Sequence, residues 1–257
     1  MSVDQNGYIG VVGDQPFQTD FHSLLQEVRD RFSPQTLTLV HSVYIYGSIA
    51  TGKAVAGRSD LDLTLILNKA PSKHDSDLIE SKRRNFEIAN PIVSKVDFGI
   101  GFLEDIVTAD ASLAWRYWLK HHCRCIAGED LAEDIPLFRP FRSLALEVNG
   151  DFEQVLGKYH RLLLVSRPAS SNGRLVREAS RKLIRSTNML RKDRDIDWPD
   201  TLEEHVARFQ GLFPDHCDEL QYFFQQAREP AAEPEYFAER LEAFVGWLSG
   251  VLHNRAQ

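Results

Sequence analysis

The apolar positions of this chain follow two regimes, which change near residue 140. Over residues 18–31 polar Thr19 and Asp20 lead into Phe21, Leu24, Leu25 and Val28, a spacing that predicts a helix. Short apolar runs at 40–46 and 61–67 predict strands. Residues 75–89 place Leu78, Ile79, Phe86 and Ile88 for a second helix, which Pro91 ends. A third strand is expected at 93–100 and a helix from Asp105 to Lys120. The stretch from Cys123 to Leu131, closing at Ile135-Pro136, reads as a short strand and an exit turn. Alternation of strands and helices indicates an α/β unit, expected to span residues 1–138.

From residue 139 to 257 only helical periodicity is left, with helices expected at 142–166, 174–192, 201–212, 215–228 and 233–253. Arg167 to Gly173 reads as a loop, and Pro199, Pro214 and Pro230 separate the later helices. This half reads as a helical bundle. There is no internal repeat or low-complexity segment.

Composition narrows the class. A chain of 257 residues with 43% apolar and 26% charged residues can bury a substantial core and form two small domains. No stretch approaches the length of a membrane span, and the first residues lack a basic flank followed by an apolar run, so a cytoplasmic location is expected. The net charge of −7 argues against an extended nucleic-acid surface and is compatible with a cationic acceptor. Three cysteines do not form a disulfide framework. His121-His122-Cys123-Arg124-Cys125 is spaced too tightly for paired zinc ligands, and a strand with buried cysteines is expected instead.

The chemistry concentrates between the first two strands. Val43-Tyr44-Ile45-Tyr46 runs into Gly47-Ser48, eleven residues follow, and Asp60-Leu61-Asp62 opens the next strand. The strand period of two projects Asp60 and Asp62 to one side, about 6 to 7 Å apart. Magnesium takes one or two carboxylates together with substrate phosphates, so this pair is a suitable half-site. Gly47 allows close approach to a phosphate, and Ser48 and neighbouring amides offer donors to it. Either element alone is more often a solvated strand face or an ordinary turn; their order and spacing give the combination its weight.

At these residues the chain resembles the nucleotidyltransferase superfamily related to DNA polymerase beta, whose signature is an apolar strand, Gly-Ser, a spacer of this length and Asp-x-Asp. The resemblance implies a third acidic residue on a later strand, which Val96-Asp97-Phe98 supplies as Asp97, with Glu104 and Asp105 as competitors. It implies catalysis by Asp60, Asp62 and Asp97, two magnesium ions with bound nucleotide, ATP as substrate and release of pyrophosphate. Lys53, in the spacer, could meet the β- and γ-phosphates, though loop lysines are ordinarily solvent-exposed. Ser59 joins the nucleotide-binding set with Gly47, Ser48 and Lys53, chiefly by orienting the Asp60 backbone. Arg174, Arg177, Arg181 and Arg185 share one helix face; Arg181 is the nucleotide-binding candidate, against the reading of a solvated basic face.

Gly128-Glu129-Asp130-Leu131 with Ile135-Pro136, the segment from Gly173 to Leu183 and the terminal segment from Leu241 to Leu252 are similar to aminoglycoside 3''-adenylyltransferases. That likeness implies a mixed-sheet catalytic domain followed by an all-α bundle, and transfer of AMP to a hydroxyl of a small acceptor such as an aminoglycoside. Those enzymes carry a longer segment before the domain junction and commonly a glutamate where this chain has Asp97. Both differences bear on the acceptor. The alternative is a regulatory or antitoxin-type protein of this fold that modifies or masks a protein partner.

Overall fold

The structure is a computed structural model and describes residues 3–108, 111–165 and 172–254. Its centre is a four-stranded mixed sheet of β1 (Val40–Tyr46), β2 (Leu61–Leu67), β3 (Val96–Phe102) and β4 (Arg124–Gly128), in the order β3-β2-β1-β4. β1 runs antiparallel to both β2 and β4, and β2 runs parallel to β3. A parallel pair needs a crossover, and α3 (Lys73–Ala89) supplies it. Ser72 starts that helix with a capping box. Its hydroxyl accepts from the Asp75 amide, and the Asp75 carboxylate accepts from the Ser72 amide at 3.0 Å.

The two faces of the sheet differ in kind. Val43, Ile45, Leu61, Leu63, Leu65 and Val96 pack with Phe21, Leu24, Leu25, Val28, Phe32 and Phe86 into the main core. The first three of those partners after Phe21, together with Phe32, come from α1 (His22–Phe32); a short 3₁₀ turn, Thr19–Phe21, precedes it. Tyr44 and Ile66 project to the opposite face, where they join Ile106, Leu119, Cys123 and Ile135. Their spacing follows the period of two that strands impose.

The single helix expected from Asp105 to Lys120 is divided into α4 (Glu104–Val107) and α5 (Leu113–His122). Ser112 explains the restart, because its side chain accepts from the Trp115 amide as an N-cap. α2 (Gly47–Ala50) is a single helical turn between β1 and the spacer.

Two units emerge from the packing, Gly10–Phe138 and Arg139–Gln257 together with Met1–Ile9. The second is helical: α6 (Arg142–Asn149), α7 (Phe152–Val165), α8 (Asn172–Ser186), α9 (Leu202–Leu212), α10 (Cys217–Arg228) and α11 (Pro234–Asn254). The helix expected over 142–166 is split at Gly150-Asp151 into α6 and α7. Most of the loop expected at 167–173 lies outside the described residues, and Gly173 itself belongs to α8. Leu183, Phe209, Leu220, Phe223, Phe237 and Leu248 are fully buried within this unit. Among the described residues no helix is long and apolar enough to cross a membrane.

Candidate active site

Strand register builds the site. Tyr46 of β1 pairs with Asp62 of β2, and Asp62 pairs with Asp97 of β3, so the three residues form one row across the sheet. Cross-strand neighbours share a face. Asp60 stands immediately before β2, where the Leu61 amide donates to the Lys95 carbonyl at 2.8 Å and continues the ladder. The structure therefore brings Asp62 and Asp97 side by side, with Asp60 two residues before Asp62 at the mouth of β2.

The row stands against the turn after β1. Gly47 has φ +73°, and a Cβ placed on it would lie 2.3 Å from Oδ2 of Asp62. Only glycine meets both demands, a left-handed backbone and a carboxylate at that distance. The turn that follows is closed by Thr51, whose hydroxyl donates to the carbonyl of Gly47 at 3.1 Å, and by the Lys53 amide, which donates to the Ser48 carbonyl at 2.8 Å. Ser48 is half-buried at the first turn of α2, where backbone N–H groups lack intrahelical partners.

The electrostatics are those of crowded like charges. Burial raises the Asp62 carboxyl to about 6, with repulsion from Asp60 and then Asp97 adding to the effect and Lys95 opposing it. Burial also pushes the Tyr46 phenol up, reinforced by Asp62 and Asp97, so it stays protonated beside the carboxylates. Two groups hold the outer acids. Ser94 Oγ donates to Asp60 Oδ1 at 2.5 Å, and Lys95 Nζ lies 2.5 Å from Asp97 Oδ2. Three carboxylates are hard oxygen donors of the kind magnesium takes, so the donor chemistry fits such an ion. Among the described residues no group of three His, Cys, Asp or Glu is drawn into a metal-binding cluster; Asp60 and Asp97 are turned to Ser94 and Lys95 instead.

The remaining sequence candidates fall in different places. Ser59 sits next to Asp60, but its hydroxyl accepts from the Val55 amide at 2.8 Å and so ties the spacer together. Lys53 is exposed in the same spacer. Arg181 belongs to the helical unit, exposed on α8. On the same helix Arg174 lies 3.7 Å from Glu178, and Lys182 pairs with Asp151 at 2.5 Å.

Residues 22–111 match the model of the nucleotidyltransferase domain. The matched segment contains Gly47, Ser48, Asp60, Asp62 and Asp97. No curated protein matches the chain. Among solved structures the chain is similar to spectinomycin adenyltransferase AAD(9) from Enterococcus faecialis, determined with ATP and spectinomycin. The match has a TM-score of 0.57 and 13% identity, and it covers 90% of this chain and 99% of that one. At that identity the likeness is one of fold, a mixed sheet with helices followed by a mostly helical region.

Sequence reasoning passed over three residues of the site. Tyr46 was legible from register, since it precedes Gly47 on the strand that pairs with β2. Lys95 lies two positions before Asp97, so strand alternation places it on the same side. Ser94 left no such signal; a loop closure brings it to Asp60, with its amide donating to the Ser59 carbonyl at 3.0 Å. Trp118 donates through Nε1 to Thr64 Oγ1 at 3.1 Å and meets Tyr46 edge-on, with ring centroids 4.8 Å apart. It braces the aromatic end of the row.

Proposed function

We propose that the chain is a magnesium-dependent nucleotidyltransferase that moves a nucleoside monophosphate, AMP from ATP, onto a hydroxyl of a small acceptor and releases pyrophosphate. The observation that carries this reading is the row Asp62–Asp97 lying in register with Gly47 held against the Asp62 carboxylate. Asp60, Asp62 and Asp97 would hold magnesium. Bound there, the ion would neutralise charge on the triphosphate and on the departing pyrophosphate.

The chain's own groups do the positioning. Gly47 stands against Asp62, and the backbone donors of the Gly47-Ser48 turn with the Ser48 hydroxyl would grip a triphosphate carrying the ion. Asp97, in register with Asp62, lies where an acceptor hydroxyl could give up its proton to a carboxylate. Exposed Lys53 and Arg181 supply point charges for the outer phosphates in this reading.

An aminoglycoside is the first acceptor class to try, because AAD(9) was solved with spectinomycin and shares the fold. The test is pyrophosphate release from magnesium-ATP across a panel that includes spectinomycin and streptomycin, with Asp60→Asn as control. Release that depends on one acceptor and vanishes in the variant supports the reading. Absence of release with every small acceptor, together with turnover on addition of a protein, would favour the regulatory or antitoxin-type alternative.

A further inference from the structure

Lys95 completes a square at the centre of the candidate site. The register Leu61↔Val96 and Asp62↔Asp97 sets Lys95 beside Asp60 one step earlier, so two acids from the β2 side face one base and one acid from the β3 side. Its ammonium lies 2.5 Å from Asp97 Oδ2, and its charge opposes the repulsion that Asp60 and Asp97 exert on Asp62. Both side chains of this pair are about one-third exposed, 32% for Lys95 and 39% for Asp97, so the contact is partly open to solvent.

From this geometry we infer that Lys95 is a positioning residue that takes the place of one of the two metal ions, leaving the site to hold a single divalent cation that arrives with the nucleotide. The inference rests on the nucleotidyltransferase reading above and narrows it, since Asp97, named there among the magnesium-holding acids, is assigned to Lys95 instead. In a two-metal arrangement the three carboxylates share two divalent ions with the triphosphate. The Lys95 ammonium lowers the net negative charge of this cluster by one. The ammonium also occupies Asp97, the carboxylate that would otherwise anchor the ion on the acceptor side. An ammonium 2.5 Å from the oxygen and a divalent ion ligated by that same oxygen repel each other strongly in a partly desolvated site.

The arrangement assigns the acids separate roles. Asp60 and Asp62 hold the nucleotide's ion, while Asp97 is held by Lys95 in fixed orientation for the acceptor hydroxyl. Ser94 belongs to the same device: it holds Asp60 from the neighbouring position in the chain, and its backbone is locked to Ser59.

The test counts ions without relying on turnover. Wild-type protein, Lys95→Met and Lys95→Arg are dialysed at pH 8 against Mn2+ with a saturating non-hydrolysable ATP analogue. Bound metal and bound nucleotide are measured together, and Mn2+ electron paramagnetic resonance spectra are recorded. The expected result is about one Mn2+ per bound nucleotide with an uncoupled spectrum in wild type and Lys95→Arg. Lys95→Met should hold about two, with the spin coupling of ions roughly 3.5 to 4 Å apart. A coupled pair in wild type would overturn the inference and leave the nucleotidyltransferase reading standing. A folded Lys95→Met protein that still holds one ion, or a Lys95→Arg protein that gains a second, would also overturn it. Absence of any nucleotide-dependent Mn2+ binding to wild type would remove the nucleotidyltransferase reading itself, and the inference with it.

Discussion

Gly47 and Asp62 are in such close apposition that one constrains the other: the place a Gly47 side chain would take is already held by the Asp62 carboxylate, 2.3 Å from Oδ2. Gly47→Ala should therefore act on Asp62 as well as on the turn. The left-handed φ costs on the order of 1 kcal/mol for alanine, and the carboxylate must leave its place against the turn. Mn2+ affinity measured with nucleotide should fall at least tenfold while the melting temperature drops only a few degrees. Unchanged affinity would show that the Asp62 orientation is not set by the turn.

The raised ionisation of Asp62 makes stability depend on pH in a defined direction. A carboxyl that titrates near 3.8 when unfolded and about 6 when folded keeps its proton longer in the native state. The unfolded chain then ionises first as pH rises, so native stability falls between about pH 4 and 6 and stays low above, by roughly 3 kcal/mol at most. Asp62→Asn abolishes this step. In metal-free buffer the variant should be more stable than wild type at pH 7.5 and close to equal at pH 4, measured by urea unfolding. A uniform difference across that range would assign the effect to something other than ionisation.

These two residues also show how far sequence carried. The strands of Tyr46, Asp62 and Asp97 were legible because apolar runs with period two leave few other structures, and the order of Gly-Ser and Asp-x-Asp placed the chemistry between them. Which acids become neighbours was not, because pairing of β2 with β3 rather than β4 is a long-range property of the crossover through α3. Ser59 illustrates a further limit. Beside an acidic motif it reads as orienting the Asp60 backbone, yet its hydroxyl is committed to the Val55 amide, a contact set by the path of the spacer. The division of the helix at Ser112 was local and could have been read, since serine before an apolar run is a recognised cap.

Ser59→Ala should then behave as a change in the spacer. Loss of one hydrogen bond at the Val55 amide costs about 1 kcal/mol. KM for ATP should rise several-fold with little change in kcat, because the loop's donors are less well ordered while the acids are intact. A collapse of kcat with unaltered KM would instead place the hydroxyl at the reacting phosphate.

Arg181→Ala separates the two readings of the α8 stripe. If the guanidinium meets the triphosphate, loss of a charge-assisted contact should raise KM for ATP about tenfold or lower turnover, and leave unfolding unaffected because the side chain is exposed. Identical kinetics would return the stripe to the solvated surface of the bundle.

Arg191 tests what holds the helical unit together. The residue is 1% exposed, donates to Asn188 Oδ1 at 3.1 Å and to the carbonyls of Asp195 and Asp197 at 2.8 and 2.6 Å, and lies 4.8 Å over the Trp198 ring. Burial, with Arg208 nearby, lowers its guanidinium to about 10, still well above neutral pH. The charge therefore stays on and must be held by the fork of carbonyls, while Arg208 grips the carboxylates of the same loop. Arg191→Ala should cost roughly 3 to 5 kcal/mol, the scale of breaking a buried charged network. Arg191→Lys should recover little of that loss, because an ammonium keeps the charge but cannot span two carbonyls and lie flat on an indole. Stability restored to the wild-type level by lysine, in thermal or urea unfolding, would reduce the network to a single point charge.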